Sequence, residues 1–186
     1  MSKQKEQNVT DIVYSIVNTR PEIRRHTLAV LVENEFGVLA RVIGLFSGRG
    51  YNIESLTVAE VDPEKKLSRI TVVTSGSEMV IEQIKALLDR MVPVHKVHDL
   101  TVEGPHVERE LALIKVVGSG QHRIEAMRIA DVFRARAVDS TTSSFVFEIT
   151  GTSEKVNAFI ELMKPIGLTE ICRTGMAAMA RGPEGI

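Results

Sequence analysis

One order of elements, β-α-β-β-α-β, occurs twice along this chain, and that order leaves few folds open. In the first copy strands are predicted at Thr27 to Val32, Asn52 to Val61, Arg69 to Thr74 and Val94 to Val102. Helices are predicted at Val38 to Ser47 and at Glu78 to Arg90. In the second of these, Val80, Ile81, Ile84, Leu87, Leu88 and Met91 share one face, while Glu82, Lys85 and Asp89 share the other. Pro63-Glu64-Lys65-Lys66 makes the turn between the two middle strands.

The second copy follows Gly104-Pro105. Its first strand, Leu111 to Val117, is almost continuously apolar and so belongs in the middle of a sheet. A helix from Gln121 to Arg134 carries a stripe of Ile124, Met127, Ala130 and Phe133. Ala137 to Thr141 and Phe145 to Thr150 read as a hairpin, with Phe145, Phe147 and Ile149 alternating as in a half-buried strand. Ser153 is the expected N-cap of a helix from Glu154 to Lys164, which Pro165 and Gly167 end, and Leu168 to Met179 closes the sheet. Two such units imply an α+β chain of two small sandwiches, each an antiparallel sheet with helices on one face. Units of about 75 residues bury a modest share of their surface and leave edge strands open, so self-association through edges is expected.

Composition excludes several classes of function. The 186 residues are 44% hydrophobic and carry a formal net charge of -1, so no general basic excess draws the chain to nucleic acid or to a membrane surface. The apolar runs are too short to span a bilayer, and Arg24-Arg25 lacks the apolar segment of an export signal. The single cysteine, Cys172, rules out an internal disulfide, fits a reducing cytoplasm and reads as a small core residue. With no tryptophan and 4% aromatics, stacking platforms for bases are not expected.

The segment from Leu28 to Val61 carries the functional signal. An apolar strand ends in Glu33-Asn34-Glu35-Phe36, and Gly37 opens a helix in which Val38, Leu39, Val42, Ile43, Leu45 and Phe46 recur three and four apart. A strand feeding directly into a helix exposes N–H groups without intrahelical partners, which attract anions such as an amino-acid carboxylate. Glycine at the turn lets a ligand approach the backbone.

These residues also carry a family resemblance. Asn34-x-x-Gly37, Arg41-Val42-Ile43-Gly44-Leu45-Phe46 and the run Arg49 to Val58 resemble the ACT domain of the small regulatory subunits of acetolactate synthase, also called acetohydroxyacid synthase. Val107 to Val116 and Arg173-Thr174-Gly175 match the same family, and the resemblance runs from His26 to Gly182. It implies tandem ferredoxin-like domains: an ACT domain over 26–103, a linker over 104–110 and a second ferredoxin-like domain over 111–182. Residues 1–25 are an extension that the usual bacterial subunit lacks. Within it Lys3 to Gln7 read as a disordered tail, and Asp11 as the cap of a weak helix carrying Ile12, Val13, Ile16 and Val17.

The resemblance further implies a non-catalytic cytoplasmic subunit without a cofactor of its own. Thiamine diphosphate, magnesium and FAD belong to the large catalytic subunit, its partner. A branched-chain amino acid such as valine binds between the ACT domains of a homodimer and feeds back on the enzyme. By position, Gly37, Val38 and Leu39 offer N–H groups to its carboxylate, Asn34 helps hold its ammonium, and Asn52 and Ile53 line the pocket from the neighbouring chain. Val38 and Leu39 suit an aliphatic side chain.

Two other classes compete. An ACT-type sensor serving a transcriptional partner is disfavoured by the net charge and the lack of a helix-turn-helix pattern. A small enzyme on a ferredoxin-like scaffold lacks a nucleophile–base pair. His95 and His98, three apart on a strand, point to opposite faces, and His26, His106 and His122 are expected at surface or loop positions, so no metal site is expected. Gly118-Ser119-Gly120 lacks both the third glycine of a dinucleotide fingerprint and the Lys-Ser/Thr of a P-loop, and reads as a turn. Arg123, Arg128, Arg134 and Arg136, interleaved with Glu125 and Asp131, fit a solvated or protein-docking face.

Overall fold

A computed structural model describes residues 21–183 and 185–186. The expectations for the tail and for the helix at Asp11 lie outside the described residues. The elements are β1 (Arg24–Glu33), α1 (Val38–Arg49), β2 (Ser55–Asp62), β3 (Leu67–Gly76), α2 (Glu78–Asp89) and β4 (Val94–Asp99). They continue with β5 (His106–Val117), α3 (Gln121–Phe133), β6 (Arg136–Ser140), β7 (Ser144–Gly151), α4 (Ser153–Gly167), β8 (Leu168–Arg173) and β9 (Ala177–Ala180). The sheets run β2-β3-β1-β4 and β6-β7-β5-β8, all antiparallel, so the chain is two tandem ferredoxin-like units of the α+β class.

Each core follows from its periodicity. Leu28, Val30 and Val32 alternate on β1 and meet Val38, Val42 and Phe46 of α1 and Ile81, Ile84 and Leu88 of α2. The second core joins Ala112, Ile114 and Val116 of β5 to Phe147 of β7 and to Val156, Phe159, Ile160 and Met163 of α4. On α3 the buried positions are Ala126 and Ala130, whereas the expected stripe residues Ile124 and Met127 are exposed. The alanines let the helix approach its neighbours closely, and that decides which face turns inward. Thr152, one residue earlier than expected, caps α4 by accepting from the Lys155 N–H. That helix continues through Pro165 to Gly167, because the buried side chains of Met163 and Ile166 hold its last turn against the core.

Two larger differences set the relation between the units. The expected linker 104–110 is strand from His106 onward, since the first half of β5 has its own partner, β9. The expected closing strand Leu168 to Met179 is split into β8 and β9. Arg173 pairs with Ala112 and Ala177 with Arg109, so three residues (Thr174, Gly175, Met176) oppose two (Glu110, Leu111), which is a β-bulge. Gly175 sits in the bulge at φ +84°.

β4 ends at Asp99, three residues short of expectation, because Val102 and Glu103 turn back to donate to the Asp99 carbonyl. His26, expected at the surface, is buried there. Its Nδ1 lies 2.7 Å from Oδ2 of Asp99, which is 1% exposed, and the Thr101 N–H donates to Oδ1. This pair pins the start of β1 to the end of β4. His26→Ala leaves a buried carboxyl oxygen without its partner and is expected to lower stability by about 1–3 kcal/mol. Asp99→Asn, which keeps an acceptor for Thr101, should cost less. Urea unfolding midpoints at unchanged slope measure both.

Candidate functional site

β1 is tied off where it meets the functional turn. The Glu33 N–H donates to the Pro93 carbonyl at 2.8 Å and the Asn34 N–H to the Lys66 carbonyl at 2.6 Å. Gly37 then caps α1 at φ +82°, a backbone conformation that favours glycine. No side chain caps this helix and no acidic residue lies in its first turn. The Val38 N–H makes only a long bond, 3.4 Å, to the Glu35 carbonyl, and the first i→i−4 bond is Arg41 to Gly37. The positive end of α1 is therefore open to an anion.

The other expected residues divide into two groups. Asn34 is exposed and its Nδ2 donates to Glu60 Oε1 at 2.9 Å, which leaves its Oδ1 as the acceptor for an ammonium group. Val38 faces the first core, so it contributes its backbone N–H and not a pocket wall; Leu39 is half-buried. A Cβ at Gly37 meets nothing within 4 Å inside one chain, so a side chain there finds room but is strained by the φ of +82°. Asn52 and Ile53 lie past the opposite end of α1. Twelve helical residues separate the groups by roughly 18 Å. One chain therefore does not unite Asn34 and Gly37 with Asn52 and Ile53. The Asn52 carbonyl accepts from Thr74 Oγ1, and Ile53 packs on the first core.

Sequence reasoning assigned no role to the cleft between the two units. It measures about 610 Å³ and is lined by Arg25 and Glu54 of the first unit and by Glu110, Glu154, Asn157 and Arg173 of the second. Arg25 pairs with Glu54 at 3.3 Å. Arg173 pairs with the buried Glu110 and also donates to Asn157 Oδ1 at 2.7 Å. The Glu154 carboxyl is held below the usual carboxylate range, first by its own backbone N–H, then by Thr152, with Arg25 acting in the same direction across the cleft. The only forewarning in the sequence was the Arg173-Thr174-Gly175 match, whose physical role needs both sheets to be seen.

A family model for an AHAS small subunit-like ACT domain matches residues 28–96, and a model for the small subunit of acetolactate synthase matches residues 109–182. The acetolactate synthase small subunit of Aquifex aeolicus is 48% identical over 161 residues, covering 86% of this chain and 83% of that one. The isozyme 3 small subunit of Escherichia coli is 46% identical over 159 residues, covering 85% and 96%. The crystal structure of the Thermotoga maritima acetolactate synthase small subunit matches with a TM-score of 0.77 at 38% identity, over 87% of this chain and 99% of that one. The chain belongs to the acetolactate synthase small-subunit family.

In this member of the small-subunit family the remaining candidates have separate local partners. His95 lies 3.5 Å from Glu33, His98 2.6 Å from Glu103 and His106 3.9 Å from Glu108. Among the described residues no three His, Cys, Asp or Glu side chains gather in a metal-binding group. Cys172, expected in the core, is exposed: it pairs with Leu113, whose side chain points away from the helices. The Gly118 N–H donates to the Ser143 carbonyl at 2.9 Å, continuing the β5–β7 pairing one residue past Val117 and Ser144. Arg123 lies 3.9 Å over the Phe145 ring and Arg136 pairs with Glu148, so half of the basic set is engaged within the second unit. No helix among the described residues is long and apolar enough to cross a membrane.

Within the cleft, Arg173→Met removes the partner of a carboxylate that is 5% exposed. Stability should fall by about 3 kcal/mol, read by urea unfolding, and the double change with Glu110→Leu should recover much of it.

Proposed function

We propose that the chain is a non-catalytic regulatory subunit that binds the catalytic subunit of acetolactate synthase, raises its activity and confers feedback inhibition by a branched-chain amino acid such as valine. The observation that carries this reading is the open N-terminus of α1 behind Gly37, which lacks both a side-chain cap and a first-turn carboxylate. That arrangement suits the carboxylate of a free amino acid, and the Asn34 Oδ1 suits its ammonium. Thiamine diphosphate, magnesium and FAD reside on the large partner. The subunit works in the cytoplasm, where a free thiol such as that of Cys172 stays reduced.

The complete effector site forms between two copies. β2 is the edge of the first sheet, and pairing two such edges antiparallel brings the Gly37 end of one α1 toward the Asn52 end of the other. Ser55 and Thr57 of this strand are engaged by the chain's own Met176, and the backbone edge of β2 stays available. Inhibition is then a linkage effect: the amino acid binds one state of the complex better than the other.

Sedimentation at micromolar concentration with valine present should show a dimer or larger, and a monomer would contradict the seam. Alone, the chain should show no acetolactate synthase activity. Titrated onto its catalytic subunit it should raise the rate and introduce sensitivity to valine, and unchanged kinetics across that titration would overturn the proposal.

Gly37→Asp tests the site itself. An aspartate there takes the helix-end attraction, roughly 0.3–1 kcal/mol and up to about 2 when partly buried, and repels the ligand carboxylate. Activation should survive while inhibition is lost. Asn52→Ala should weaken inhibition less, since it adds no charge. A folded Gly37→Asp subunit inhibited at the wild-type valine concentration places the effector elsewhere.

A further inference from the structure

The bulge between β8 and β9 joins the two units at the strand that begins beside Asn52 and Ile53. Toward the second unit, the Thr174 N–H donates to the Leu111 carbonyl at 3.0 Å, and the Leu111 N–H donates to Thr174 Oγ1 at 3.1 Å. Toward the first unit, the Met176 N–H donates to Ser55 Oγ at 2.8 Å, and Thr57 Oγ1 donates to the Met176 carbonyl at 2.9 Å. Ser55 and Thr57 are two apart on β2 and so project from one face of it. Between them Gly175 sits so close that a Cβ would lie 2.8 Å from Ser55 Oγ and 3.1 Å from Thr57 Oγ1. Met176 itself is 1% exposed. The bulge is thus held by both units at once, with no slack at its centre.

Its neighbours extend the connection in both directions. Ser55 opens β2 two residues beyond Ile53, past the bend at Glu54. Glu54, between them, pairs with Arg25 and accepts from Ser75. On the other side Arg173 leads to the buried Glu110 of β5 and to Asn157 of α4. A displacement of the start of β2 therefore meets a chain of specific contacts into the second sheet, and the bulge uses a face of β2 while its backbone edge stays free.

We infer that the Thr174-Gly175-Met176 bulge is a coupling clasp, the element through which occupancy of the effector site at Asn52 and Ile53 acts on the second unit. This rests on the effector reading given under Proposed function. Gly175 is a positioning residue in it: it touches no effector, and the tight approach of the two units requires its missing side chain.

The test uses the complex of the full chain with its catalytic subunit and valine as the probe. Calorimetry reads binding and enzyme assay reads inhibition. Gly175→Ala pushes the Ser55 and Thr57 hydroxyls off their bonds to Met176, and Ser55→Ala with Thr57→Val removes those hydrogen bonds with little change in volume. Both variants should still activate the catalytic subunit and bind valine within about twofold of wild type. The ratio of activities without and with saturating valine should fall by about fivefold or more. Wild-type inhibition in the Ser55→Ala, Thr57→Val variant overturns the coupling role, whatever Gly175→Ala does to folding. Loss of valine binding together with inhibition also overturns it, because the clasp then belongs to the site. A wild-type complex that binds no valine overturns the effector reading itself, and is recognised before any variant is compared.

Discussion

The constraint on which the rest of the structure depends is the second face of the first sheet. Helices α1 and α2 cover one face, but Thr27, Ala29, Thr71 and Val73 on the other are all at most 4% exposed. The first unit itself covers them only with the turn after β4, where Leu100 packs on Ala29. The rest of the covering comes from the other half of the chain: Ala178 packs with Ala29 and Leu100, and the Arg69 guanidinium donates to the Ala178 carbonyl at 2.7 Å. The small side chains on both surfaces permit that close approach, and burial lowers the pKa of Arg69 from its ordinary value. The length of β5, the existence of β9 and the bulge all follow from this one requirement.

The two units, alike in topology, therefore differ in what they expose. The corresponding face of the second sheet stays open, with Leu113 and Val117 exposed among the ion pairs Lys115–Glu170 and Arg136–Glu148. An antiparallel sheet tolerates one solvated face, as the alternation along β5 and β7 shows. The first sheet is thus covered on both faces and the second on one. Such an arrangement suits the coupling inferred at the bulge, because packed interfaces respond in steps and do not deform smoothly.

The charge distribution around Gly37 follows the same economy of parts. Glu35 is drawn away to Arg41 and Glu60 to the Asn34 amide, so neither carboxylate caps α1. The helix end keeps its partial positive charge for an incoming anion. The acidic residues near the turn are engaged by their own neighbours, which suits the amino-acid ligand proposed above.

Periodicity alone determined most of the fold. The alternation of Leu28, Val30 and Val32, the three-and-four spacing through α2 and α4, and the glycines and prolines between elements define eight strands and four helices in nearly their final places, because these signals are local. The Gly37 turn was legible for the same reason: strand, glycine and helix adjoin in sequence. What only the tertiary structure decided are contacts between residues far apart along the chain. The burial of His26 depends on Asp99, the exposure of Cys172 on the register with Leu113, and the inward face of α3 on how closely Ala126 and Ala130 let it approach. The strand character of His106 to Glu110 depends on β9, about seventy residues later, and the bulge at Gly175 depends on a strand more than a hundred residues earlier. Local pattern specifies a residue's own backbone and face, whereas the partner that buries it is set by how the two halves of the chain close on each other.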